Sequence, residues 1–376
     1  MSNPALPAIS WIAVGLLGLI TGSFLNAVIH RLPLGISLLN PRRSFCPSCN
    51  KSIPWHENLP VASWVLLRGR CSGCAMPIAL RYPLVELLAG ALYLLAWGRF
   101  GLPLAPVFWI FLSLLVAATF IDFDHLIIPD EITLGGTAAG VLCATLLPGL
   151  LGEAVWWQGL LRSLLGAACG YCVLWGVVEL GKLAFGRRKL CPDQAMAFEI
   201  SGSEEDPELL LGEERLPLAE FFYRENDLIE AEASSLEING ELLGSGLLTV
   251  SHSVLRHGER EWPLRGLGDL MPIRASVTEI VLPREAMGFG DVKFLACIGA
   301  FLGWQGVFFS LFAGSVIGAV IGVATMALTR GRSGGRIPFG PYLALGGFLW
   351  VLAGPELLAF YFSHLRGEGG FLLQHG

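Results

Sequence analysis

The chain has 376 residues, of which 53% are hydrophobic and 15% charged, and its mean hydropathy is +0.61. That balance leaves too much apolar surface for one water-soluble core of ordinary composition and points to a membrane protein. The formal charge of −6 is uneven: residues 190–282 hold 19 acidic against 6 basic side chains, a local −13 that leaves +7 on the remainder. The acidic segment is therefore not a partner for nucleic acid, whereas the basic remainder suits anionic lipid headgroups.

A membrane-crossing helix needs about 20 mostly apolar residues, and the first such run covers 8–29. No basic segment precedes it, and Arg31 follows it in place of a small-residue cleavage site, so it reads as a retained helix, not a signal peptide. Residues 30–83 form a polar loop. Apolar runs follow at 84–100, 104–121, 132–151 and 160–185, a shorter one comes after Asp291, and two more cover 306–328 and 338–363. The expected fold class is an all-α polytopic membrane protein of about eight transmembrane helices. Seven Lys and Arg between 31 and 81, the cluster Arg187, Arg188 and Lys189, and Arg330, Arg332 and Arg336 assign their segments to the cytoplasmic side. With the N-terminus outside, only Arg99, Arg162 and Arg366 fall at or near the outer face.

Residues 190–282 interrupt the helical pattern as an acidic insertion. Alternating stretches flank Asn239-Gly240, a dipeptide that favours the turn of a β-hairpin. A disordered acidic linker is the competing reading, against which stand Phe221, Phe222, Tyr223, Trp262 and many Leu able to build a small core. The expectation is a small cytoplasmic domain containing strands.

Within the 30–83 loop, Cys46-Pro-Ser-Cys49 and Cys71-Ser-Gly-Cys74 are two Cys-x2-Cys pairs separated by 21 residues. Two such knuckles supply the four soft ligands of a closed tetrahedral zinc site. Two disulfides are the alternative, disfavoured if the loop faces a reducing compartment. Cys143, Cys169, Cys172, Cys191 and Cys297 lack metal-ligand spacing, and four of them lie in apolar runs as small packing residues.

An ionisable group at a membrane span costs about 2.5–3.5 kcal/mol on insertion scales, so each needs a reason. Asp122, Asp124 and Asp130 crowd the junction Ile121-Asp-Phe-Asp-His-Leu-Ile-Ile-Pro-Asp130, and Asp291 ends Gly288-Phe-Gly-Asp291 just before an apolar stretch. Val292 to Trp304 is 13 residues, a helix of about 20 Å, too short for the hydrocarbon core and able to hold Asp291 below the membrane surface. Two carboxylates brought together share one proton and can hydrolyse a peptide without a metal. Taken singly, Asp122 reads equally as a solvated helix end and Asp291 as a helix N-terminal residue favoured by the macrodipole. Spacing does not choose among Asp122, Asp124 and Asp130. There is no His-Glu-x-x-His string and no serine constellation.

The sequence resembles the type IV prepilin peptidases, polytopic Gly-x-Gly-Asp aspartic proteases. The resemblance rests on Gly22-Ser-Phe-Leu-Asn26 running to Arg31-Leu-Pro33, the four loop cysteines, Asn58-Leu-Pro60, Ser63-Trp64, Leu67-Arg-Gly69 and Arg81-Tyr-Pro-Leu-Val-Glu86. It continues through Asp122 to Ile128-Pro-Asp130 and through Gly288-Phe-Gly-Asp-Val-Lys-Phe-Leu-Ala296 to Gly299-Ala-Phe-Leu-Gly303. The resemblance selects Asp122 and Asp291 as the catalytic pair. It implies cleavage of prepilin or pseudopilin leaders at the cytoplasmic face of a bacterial inner membrane. N-methylation of the new N-terminus with S-adenosylmethionine would follow, a step the residues alone do not reveal. Gly22, Ser23, Phe24, Leu25 and Asn26 form the methyltransferase-associated string, where Ala27 replaces a bulkier aliphatic residue, and Cys46, Cys49, Cys71 and Cys74 would hold structural zinc.

The expected domains are thus a first helix at 1–29, the cysteine loop at 30–83, helices two to five at 84–189, the insertion at 190–282 and the second aspartate motif with the last three helices at 283–376. A leader peptidase without methyltransferase activity is the nearest alternative. A non-enzymatic scaffold or transporter fits less well, since the carboxylates gather at one face and not at the midplane of broken helices.

Overall fold

The computed structural model describes residues 8–40, 44–46, 48–185, 187–192, 195–202, 207–212, 214–222, 227–238, 240–251, 253–263, 273–283, 288–328 and 338–365. Asn239, Tyr223, Arg330, Arg332, Arg336 and Arg366 lie outside these residues. The chain divides into two compact units, residues 1–175 with 288–376, and residues 176–287.

The helices in order are α1 (Ala8–Arg31), α2 (Ala62–Leu66), α3 (Arg81–Phe100), α4 (Ala105–His125), α5 (Asp130–Leu146), α6 (Trp156–Phe185), α7 (Phe289–Leu328) and α8 (Gly340–Leu365). Six of them, α1, α3, α4, α6, α7 and α8, are long and apolar enough to cross a membrane. The sequence expectation was about eight, and two elements account for the difference. The run at 132–151 becomes the 17-residue α5, about 26 Å long, followed by a 3-10 turn at Pro148–Leu151. The short run after Asp291 and the next one are two helices that meet at a kink within α7, at Gly303, where φ 72 and ψ 179 demand glycine.

The two parts of α7 have different surroundings. Val292, Phe294, Leu295, Cys297, Ile298, Ala300 and Phe301 are 0% exposed, so the middle of the first part is enclosed by protein. Past the break, Phe312, Val320, Val323 and Leu328 are exposed, as are Ile9, Ile12 and Ile20 of α1, as lipid-facing side chains must be. Close helix approach encloses the first part: a Cβ at Gly166 would stand 2.2 Å from the Gly299 carbonyl oxygen, and buried Ser163 donates its hydroxyl to Ala300 O at 2.7 Å.

The second unit contains the β-strands expected of the insertion. Ten strands form one antiparallel sheet: β1 (Arg187–Leu190), β2 (Met196–Gly202), β3 (Pro207–Leu211), β4 (Glu214–Pro217), β5 (Ile229–Ile238), β6 (Glu241–Leu242), β7 (Gly246–Val250), β8 (Val254–His257), β9 (Arg260–Pro263) and β10 (Ile273–Pro283). Their order is β4-β3-β2-β10-β5-β7-β8-β9, with β1 also on β10 and β6 on β5. In β5 the buried positions run 229, 231, 233 and then 236, 238. The phase changes because Ser234 is an extra residue opposite β10, a β-bulge whose hydroxyl donates to Ser276 O at 3.0 Å. Phe198, Ile200, Leu209, Leu236 and Leu248 form the core with Phe221, Phe222 and Trp262 packed against it, so this is a folded domain, not a linker.

Candidate active site

Asp122 lies in the last turn of α4. The helix stops because Leu126 takes a left-handed conformation (φ 55), closing the last turn with its N–H on Asp122 O at 3.0 Å. Pro129 then caps α5, whose first turn carries Asp130 and Glu131, the charge a helix N-terminus prefers. This tight connection aims the three aspartates differently. Asp122 is 5% exposed, while Asp124 and Asp130 are exposed. Asp124 pairs with Arg81 of α3, and Asp130 pairs with Lys293 of α7 at 2.6 Å. His125 is exposed at the helix end.

Asp291 sits in the first turn of α7, 8% exposed, with its N–H on Gly288 O at 3.2 Å. Ile128, buried in the α4–α5 connection, joins the two neighbourhoods. A Cβ on Gly290 would meet the Ile128 backbone at 3.3 Å, and a Cβ on Gly340 would meet Ile128 Cδ1 at 2.8 Å and Asp122 Oδ2 at 2.6 Å. The Gly340 N–H donates to Asp122 Oδ2 at 3.0 Å. Gly340 was missed by sequence reading, and its signal was Pro338-Phe-Gly-Pro341 at the start of an apolar run. The result is two buried carboxylates from separate helices, one held by a backbone donor, with Gly290 and Gly340 allowing the close approach of the Ile128 connection.

The cysteine loop repeats one local structure. Cys46 N donates to Lys51 O and Asn50 N to Cys46 O; Cys71 N donates to Met76 O and Ala75 N to Cys71 O. Asn50 and Ala75 both take positive φ, 55 and 57. Each knuckle is closed by an isolated bridge, Phe45 with Ser52 and Arg70 with Pro77. All nine cysteines are unbridged, and the thiols of Cys46, Cys49, Cys71 and Cys74 lie within 4.8 Å of one another. Cys46 Sγ and Cys74 Sγ are 3.8 Å apart, close to the edge of about 3.8 Å that a tetrahedron with 2.3 Å zinc–sulfur bonds requires.

Electrostatics within the cluster favour a cation. The backbone N–H groups of Cys49 and Ser48 bring the Cys46 thiol down to about 6. Those of Cys74 and Gly73 lower Cys71. At Cys74 the Met76 N–H pulls downward, but desolvation and the hydrogen bonds from Cys49, Cys71 and Cys46 outweigh it and push the thiol up to about 11. Thiolates gathered this closely resist full deprotonation until a dication neutralises them.

The methyltransferase-associated string lies on α1 and faces several ways. Gly22 presses on α3, Ser23 lies beside Glu86, Phe24 is exposed, Leu25 is buried, and Asn26 Nδ2 donates to Tyr82 O at 3.0 Å.

Most of the chain is similar to known proteins. Residues 16–100 match the Bacterial Peptidase A24 N-terminal domain, and residues 109–201 and 245–323 match the Type IV leader peptidase family. A prepilin leader peptidase/N-methyltransferase of Aeromonas hydrophila is 30% identical, with 96% of each chain covered. Proteins of the same name from Pseudomonas aeruginosa and Myxococcus xanthus are 28% identical over 92% of this chain and 91% of theirs, and 44% identical over 46% of this chain and 50% of theirs. No solved structure matches.

Proposed function

This chain belongs to the prepilin leader peptidase/N-methyltransferase family, and from that premise we propose that Asp122 and Asp291 carry out its leader-peptide cleavage. It is a multi-pass membrane enzyme that cleaves leader peptides and N-methylates the product. The observation that carries the residue assignment is the meeting of two buried carboxylates from α4 and α7 around Ile128. Asp122, its Oδ2 fixed by the Gly340 N–H, takes a proton from the attacking water. Asp291 supplies a proton to the scissile amide. Asp124 and Asp130 are engaged by Arg81 and Lys293 and serve to position the connection.

The substrates are prepilins or pseudopilins whose hydrophobic N-terminal helix lies in the same membrane. The location is a bacterial inner membrane with the aspartates and the cysteine loop facing the cytoplasm, a reading supported by the Lys and Arg distribution. Cys46, Cys49, Cys71 and Cys74 hold a structural zinc ion that fixes the loop, and S-adenosylmethionine provides the methyl group. The domains follow as a first helix (1–29), a zinc loop (30–83), helices with the first aspartate (84–189), an acidic insertion (190–282) and the second aspartate motif (283–376). Co-expression with a pilin-like precursor, followed by mass analysis of its N-terminus, tests the proposal. Asp122→Asn and Asp291→Asn should each insert normally and leave the precursor uncut, and full cleavage by either variant would reject the pair.

A further inference from the structure

A cavity of about 390 Å³ lies between the end of α1, the first turns of α3 and the cysteine loop. That volume is in the range of small-molecule sites. Ser23 and Asn26 of α1, Tyr82 and Glu86 of α3, and Val61 and Trp64 of the loop border it. It has no part in the aspartate chemistry, yet three of its features mark it as built for a ligand.

Asn26 is 5% exposed, and although its Nδ2 is engaged by Tyr82, its Oδ1 has no hydrogen-bond partner. A buried amide oxygen left in that state calls for a donor from outside the chain. Glu86, 8% exposed, accepts the Val61 N–H at 2.7 Å and a hydrogen bond from Ser23, but no cationic side chain among the described residues acts on it. It is a buried acid without a counter-ion. Val61 holds φ 59 and ψ −48, a conformation β-branched residues avoid, and the Glu86 hydrogen bond helps to keep it there. Gly22 brings the acid to this place, since a Cβ there would come within 2.6 Å of Glu86 Cα.

We propose that this cavity is the methyl-transfer site, taking the cationic methyl donor S-adenosylmethionine together with the newly exposed terminal amine of the cleaved substrate. Glu86 is the catalytic base for that amine. The inference rests on the reading of the chain as a leader peptidase and N-methyltransferase. The residues fit such a donor: the Glu86 carboxylate for a cation, Trp64 and Tyr82 in the wall beside it, and the free Asn26 oxygen for a donor group, with His30, Arg31 and Glu57 as the other acidic or basic side chains that border the cavity. In the transfer, the S–CH3 bond breaks and the N–CH3 bond forms, the sulfur keeping the electron pair and leaving as a thioether. The amine must bring a lone pair, and a terminal ammonium with a pKa of about 7.7–8.0 is mostly protonated at neutrality, so its proton passes first to Glu86. The first turn of α3 borders both sites, for Arg81 pairs with Asp124 while Tyr82 and Glu86 line the cavity.

The test uses the purified full-length protein in detergent with a pilin-like precursor, mass analysis of the product and calorimetric binding of S-adenosylmethionine. At pH 7, Glu86→Gln should cut the precursor but lower the methylated fraction of the product about 100-fold. The deficit should shrink above pH 9, where the amine loses its proton unaided. Asn26→Ala, and Ala79→Trp on the loop wall, should weaken S-adenosylmethionine binding tenfold or more. Unchanged binding in both variants would overturn the site, as would Glu86→Gln methylating like the wild type or showing a deficit independent of pH. A wild-type protein that leaves the precursor uncut would overturn the wider reading instead, and one that cuts without methylating would remove the reaction assigned to the cavity.

Discussion

Asp122 and Glu86 are both buried carboxylates within one turn or two of a helix end, and each accepts a backbone N–H. The donor to Asp122 is 218 positions away in sequence, on α8, whereas the donor to Glu86 is 25 positions away, in the adjoining loop. One site exists only when α4, α7 and α8 have assembled. The other is framed by α1, α3 and a loop tied down by its own cysteine knuckles. Two activities carried by centres so differently supported should be separable, since damage to the helical assembly strikes the first and damage to the loop strikes the second.

The largest separation comes from the aspartates themselves. Asp122→Asn or Asp291→Asn should lower cleavage about 10⁴-fold or more, while a synthetic pre-cleaved substrate is still methylated, as mass analysis would show. Gly340→Val is the next most severe. Its Cβ would stand 2.6 Å from Asp122 Oδ2, and the displacement should cost about 10²-fold in cleavage rate, measured on the same precursor. If methylation of the pre-cleaved substrate fell equally, the comparison would break.

The loop offers the converse. Cys71→Ser, or removal of zinc by a chelator, should lower methylation about tenfold or more and cleavage far less, with elemental analysis reporting the metal. The smallest effect belongs to the Lys293–Asp130 pair, which is partly exposed and should contribute under about 1 kcal/mol. Lys293→Met should slow cleavage about threefold, and adding Asp130→Asn should bring little further loss in a double-mutant cycle.

Much of this arrangement was legible in the sequence, and the exceptions have physical causes. The strand content of the insertion and the grouping of four thiols followed from alternation and from Cys-x2-Cys spacing. Spacing could not rank Asp122, Asp124 and Asp130, because their directions depend on the left-handed Leu126 and the Pro129 cap that turn α4 into α5. Gly340 was missed because its contribution is a backbone N–H, for which the Pro338-Phe-Gly-Pro341 string is only an indirect sign. Glu86 stood one turn inside an apolar run, and the cost of burying an acid there was a signal that motif matching passed over. Hydropathy separated the run after Asp291 from the next one, and the structure breaks α7 at Gly303 between them, but apolar length alone does not tell that the first part is enclosed by protein.

That enclosure has a consequence for the enzyme's dependence on its lipid. The stretch carrying Asp291 is seated in protein, and the glycine break uncouples it from the lipid-exposed remainder of α7. Thinner or thicker bilayers would be accommodated by tilt of the outer portion, leaving the aspartate at constant depth. The catalytic level is thereby set by side-chain packing, so one cutting position can be kept across membranes of different thickness.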